Sequence, residues 1–135
     1  MFFYMIMPVG ADPQFAEKKS ILMRAAEKHG ISVHFPFDTS NEPTFDIDKT
    51  LSDLTDADFV IADLSMERPS CYFELGLAQS QHKDVYLIAK EGTDIHQAHG
   101  RRLTRFYKSL EDYGQIVSHV VKEATRATPV VRLRA

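Results

Sequence analysis

Residues 58–65 read Asp58-Phe59-Val60-Ile61-Ala62-Asp63-Leu64-Ser65, and a short loop later comes Ser70-Cys71-Tyr72-Phe73-Glu74-Leu75-Gly76-Leu77-Ala78. Phe59 to Ala62 is an unbroken apolar run between two aspartates. A run of this kind is a strand covered on both faces. The segment from Ser70 to Lys83 predicts a helix, and Asp84 to Lys90 a further apolar strand. Strand, loop, helix and strand in that order make a parallel βαβ unit, because parallel neighbours need a crossover connection.

The same alternation continues outward in both directions. Phe2 to Met7 is a second continuous apolar run, stopped by Pro8 and Gly10. Phe15 to His29 carries Phe15, Ile21, Leu22, Ala25 and Ala26 between charged residues, which predicts a helix ended by Gly30. Ile31 to Phe35 predicts a short strand closed by Pro36, and Thr39 to Thr44 a turn. Asp46 to Thr55 predicts a helix with Ile47, Leu51 and Leu54 inward. Beyond a loop over residues 91–100, Arg101 to Tyr107 predicts an edge strand, and Ser109 to Ala124 a last amphipathic helix. The expected fold is one α/β domain, flavodoxin-like or Rossmann-like. Five parallel strands in the order 2-1-3-4-5 carry helices on both faces. It spans residues 1–126, with a short tail at 127–135. Ligands of such sheets bind beyond the carboxyl ends of the strands at the switch point. Those ends are Met7–Pro13 and Asp63–Ser70.

Composition narrows the partners. The 135 residues carry a net charge of -3, which argues against a nucleic-acid polymer and leaves room for a small anionic ligand. The apolar start lacks a basic leader and is too short to span a bilayer, so neither a signal peptide nor a membrane partner is expected. A single cysteine, Cys71, makes no intrachain disulfide and fits a reducing, cytoplasmic compartment.

Glu74 is the residue whose chemistry stands out. With Ser70 as N-cap, a capping box would need the acid at position 73. The helix dipole would reward an early acid by only about 0.3–1 kcal/mol. Its neighbours at helical spacing are Ser70, Cys71, Leu77 and Ala78, a small or apolar face. A carboxylate turned to that face is either structural or a positioned acid, base or nucleophile. Gly76 costs about 1 kcal/mol against Ala in a helix interior, which close approach of a backbone or ligand would explain.

Residues 57–90, through Tyr72-Phe73-Glu74-Leu75-Gly76, resemble the core motif of the nucleoside 2-deoxyribosyltransferase-like superfamily. Residues 3–10 and 94–107 are similar to further regions of it. The resemblance implies cleavage or transfer at the N-glycosidic bond of a nucleoside or nucleotide, with Glu74 as the nucleophile. Asp63 would be the second acid, and Asp48 a sugar or base contact. The alternatives for these two are a turn or cap for Asp63 and a solvated helix face for Asp48. Pro8 and Gly10 would approach the sugar, with Ser65 and Tyr72 among the substrate contacts. Where relatives carry amides, this chain has Arg68 and Ser70, which suit a 5′-phosphate; Arg68 could equally be a surface charge. The same resemblance implies a homo-oligomer. It leaves open NAD cleavage of the TIR-like kind, or a nucleotide-sensing module without turnover. No cofactor and no metal are expected, since His96 and His99 lie in a loop without a third ligand in the sequence nearby. Tyr4, Phe35, Phe37 and Tyr72 could stack on a base or fill the core.

Overall fold

The computed structural model describes residues 1–35, 46–96 and 103–127. Pro36, Phe37, the turn at Thr39–Thr44, His99, Arg101, Arg102 and the tail 128–135 lie outside the described residues.

Strand β1 (Phe2–Ile6) is followed by helix α1 (Phe15–Lys28), β2 (Ser32–His34), α2 (Ile47–Asp56) and β3 (Phe59–Asp63). A 3-10 turn (Ser65–Glu67) leads into α3 (Pro69–Ser80), then β4 (Val85–Lys90), β5 (Arg105–Tyr107) and α4 (Leu110–Ala127). The sheet has five strands in the order β2-β1-β3-β4-β5, and every pair is parallel. This is the topology that the alternating apolar runs predict.

Side-chain alternation along the central strands splits the core into two layers. Phe3, Met5, Phe59, Ile61 and Ile88 pack with Leu22, Tyr113, Val117 and Val121 of α1 and α4. Tyr4, Ile6, Val60, Ala62 and Leu87 pack with Leu54, Cys71, Leu75 and Ala78 of α2 and α3. β3 is buried at every residue, as its apolar run requires.

Two local differences from the sequence reading have simple causes. α3 starts at Pro69 rather than Ser70, with Arg68 in the N-cap position. Proline suits the first helical position, because its missing N–H would have no helical partner there. Ile47 is 44% exposed, so the inward face of α2 is built by Thr50 and Leu54 instead.

Candidate active site

β1 and α3 bring the central pair together. Tyr4 lies in the middle of β1 on the α3 side, and its hydroxyl donates a 2.9 Å hydrogen bond to Glu74 Oε2. Glu74 is 3% exposed, and burial pushes its carboxyl up to about 7, with the Tyr4 hydrogen bond pulling the other way. Burial and the Glu74 charge raise the Tyr4 hydroxyl far above its ordinary value, so it stays protonated as a donor. Thr50, buried on α2, acts on the same hydroxyl in the opposite sense and partly offsets that rise. A carboxylate held this way is half ionised near neutral pH and poorly solvated, which favours attack on an electrophilic carbon.

A cleft of about 460 Å³ is lined by Met7, Pro8, Val9, Gly10, Ala11, Arg68 and Ser70. It sits at the carboxyl ends of β1 and β3, the place that the topology assigns to a ligand. Ser70 and Glu74 are one helical turn apart on one face of α3. Helical side chains lean toward the N-terminus, which for Glu74 is the Ser70 end of α3. The start of α3 adds the positive end of its dipole beside Arg68, although the Cys71 and Tyr72 N–H groups already bond the Arg68 carbonyl.

Of the residues singled out in the sequence, Pro8, Gly10, Arg68 and Ser70 meet in this cleft. Asp48 is exposed in the first turn of α2. Tyr72 is half-buried, and its hydroxyl accepts the His96 backbone N–H at 3.1 Å. Asp63 and Ser65 belong to a polar network on the α1/α4 side of the sheet. Asp63 accepts from the Ser65 N–H at 3.0 Å and from the Tyr107 hydroxyl at 2.9 Å. Lys18 Nζ lies 3.9 Å from Asp63 and donates to Tyr107 at 2.7 Å and to Asp12 at 2.6 Å. The Ser65 hydroxyl accepts the Lys90 N–H at 2.7 Å. Burial raises the Asp63 carboxyl above its ordinary value, and Ser65 and Lys18 partly restore the charged form. Asp63 and Glu74 therefore face opposite layers, while the network ties the 7–13 loop to the ends of three strands.

Sequence reading did not single out Lys18 and gave Tyr4 no bond to Glu74. Lys18 could have been found, since it falls on the apolar stripe of Phe15, Leu22 and Ala25. Tyr4 could not, because 70 residues separate it from its partner.

The thiol of Cys71 is buried and pushed up to about 12, chiefly by burial and then by the Glu74 charge, which makes it inert as a nucleophile. Among the described residues, Glu67, Asp94 and His96 place ligating atoms within 4.8 Å of one another on the exposed surface, an arrangement a metal ion could share. Among them too, no helix is long and apolar enough to cross a membrane.

No family model and no curated protein sequence matches the chain. Solved structures do match it. A CMP N-glycosidase of Clostridium botulinum superposes with a TM-score of 0.66 at 15% identity, covering 89% of this chain and 99% of that one. The chain has the deoxyribosyltransferase fold. A 2-deoxyribosyltransferase of Bacillus psychrosaccharolyticus, at 16% identity, covers 84% of this chain and 90% of its own with a TM-score of 0.63. A 2-deoxyribosyltransferase of Leishmania mexicana gives 0.60 at 19% identity, with 87% and 97% covered.

Proposed function

We propose that the protein cleaves or transfers at the N-glycosidic bond of a nucleoside or nucleotide through a glycosyl-enzyme on Glu74. The observation that carries this reading is the buried Glu74 carboxyl, raised to about 7 and gripped by Tyr4, one helical turn from the cleft. Glu74 attacks C1′ of the sugar as the base departs, and positive charge developing on the sugar meets its carboxylate. Water then releases the sugar, or a second base takes it up.

The cleft contents support a nucleotide over a nucleoside. Arg68, the α3 N-terminus and the backbone at Gly10 together suit a 5′-phosphate. The Clostridium botulinum neighbour is named for action on CMP, a nucleotide. Asp48 and Tyr72 reach in from the rim toward sugar or base, and Asp63 with Ser65 holds the strand ends on which the loop rests. The protein works as a soluble, cytoplasmic homo-oligomer without a cofactor. The second copy covers the exposed α3 face at Phe73, which is 51% exposed beside Gly76.

The test is a substrate panel: deoxynucleosides, nucleoside monophosphates and NAD, each with and without a free acceptor base, read by chromatography of the released base. Release or exchange of base by the native protein, lost in Glu74→Gln, is expected. Turnover of NAD alone would move the reading to the TIR-like class. Binding with no turnover anywhere in the panel would replace the enzyme with a sensing module.

A further inference from the structure

The departing base needs a proton, and the groups described so far do not supply it. Glu74 must be ionised to attack, and the Tyr4 hydroxyl already donates to it. Asp63 faces the other layer of the sheet. A different pair stands on the Glu74 side. In β2, Val33 packs against the α1/α4 layer, so alternation turns His34 to the opposite face, the one Tyr4 occupies. The His34 ring lies against the Tyr4 ring, with centroids 5.4 Å apart, and meets Phe2 edge-on at 6.2 Å. Its Nε2 is 3.1 Å from Asp53 Oδ2 of α2. Asp53 is itself held by Lys49 Nζ at 3.2 Å. The groups facing His34 are thus Asp53 and Lys49 from α2, and Phe2 and Tyr4 from β1. One tyrosine separates this imidazole from the carboxylate that attacks. The His34 side chain is 31% exposed, enough to exchange its proton with solvent between turnovers.

We propose that His34, oriented by Asp53, is the general acid that protonates the departing base. This rests on the N-glycosidic reading of the Glu74 site. The imidazolium keeps its Nε2–H on Asp53 and gives its Nδ1–H to the base nitrogen. The C1′–N electron pair leaves with the base, and Glu74 forms the ester to C1′. In the second half, neutral His34 takes the proton of the attacking water or acceptor base as the C1′–O bond to Glu74 breaks. Charges and protons balance over the cycle. Histidine is suited to both halves because one imidazole can give a proton and then take one back. Asp53 is a positioning residue in this scheme, since it fixes the ring and does not touch substrate.

The experiment compares two leaving groups. One substrate is the nucleoside or nucleotide turned over by the native protein. The other is a nitrophenyl glycoside of the same sugar, whose leaving group departs without a proton. His34→Gln is expected to lower kcat on the natural glycoside by roughly 100-fold or more, and to leave the first-turnover burst of nitrophenolate, which needs no acid, within about twofold. Asp53→Asn shows the same pattern more weakly. A thermal melt on each variant, and on His34→Asn, separates loss of chemistry from loss of fold. An equal loss in the nitrophenolate burst, or an unchanged kcat on the natural substrate, would overturn the assignment of His34. If Glu74→Gln abolishes turnover while His34→Gln spares it, the N-glycosidic reading stands and the acid lies elsewhere. If the native protein turns over neither substrate, the N-glycosidic reading itself fails, and His34 with it.

Discussion

Glu74 is held between two opposed influences, and both can be measured. Burial favours its neutral form, while the Tyr4 hydroxyl favours the charged one. A carboxyl at about 7 in the fold against an ordinary 4.5 binds an extra proton across that interval. Stability is therefore lost as pH rises from 4.5, and the loss is complete above 7. Glu74→Gln removes that loss, and urea denaturation at pH 8 should show a gain of up to about 3 kcal/mol. The gain should vanish near pH 4; no change of the difference with pH would contradict the raised carboxyl. Activity follows the opposite sign, rising with pH as the carboxylate forms. Tyr4→Phe withdraws the hydrogen bond that helps ionise Glu74. Its kcat/KM profile should keep its shape but rise at higher pH than the native one, with the loss greatest below pH 7. The oddity of Glu74 was legible in the sequence, because it sits among Ser70, Cys71, Leu77 and Ala78. The hydroxyl that tunes it was not, because a strand residue's partner across the sheet leaves no local trace.

At the level of elements, the helices of the site are set by their first residues. Pro69 begins α3 and aims its N-terminus at the cleft. The Asp46 side chain caps α2 by accepting the Lys49 N–H at 3.1 Å. Asp46→Ala should cost about 1 kcal/mol in thermal unfolding, and would loosen the element that carries Thr50 and Asp53. Gly76 has a different standing from the one its sequence position suggests. A Cβ there would meet nothing within 4 Å among the described residues, so close approach by them does not account for it. Gly76→Ala should stabilise the isolated chain by about 0.5–1 kcal/mol. If a second copy packs on the same face, sedimentation should show weaker assembly in that variant at equal concentration. The strands were legible because β1 and β3 are continuous apolar runs. The start of α3 was misplaced by one residue because serine and proline both begin helices, at neighbouring positions.

Across the whole molecule, one buried network joins what the chain separates. Asp12 after β1, Lys18 of α1, Asp63 at the end of β3, Ser65 beyond it and Tyr107 of β5 share hydrogen bonds. Lys18 also lies over the rings of Tyr107 and Tyr113, 4.8 and 5.4 Å from their centroids. Lys18→Met should destabilise the fold by about 3–5 kcal/mol in urea, because it leaves two carboxylates without their buried cation. Adding Asp63→Asn should recover part of that loss. The parallel order of the sheet followed from alternation alone, but this network did not. A lysine is read as surface until the partners that justify its burial are known. With the scaffold fixed in this way, the account depends on the bond Glu74 makes. The most direct measurement is mass spectrometry of the protein quenched during turnover of its glycoside, followed by peptide mapping. A sugar adduct on the peptide containing Glu74, absent from Glu74→Gln, is the predicted result. An adduct on another residue, or full turnover by Glu74→Gln, would contradict it.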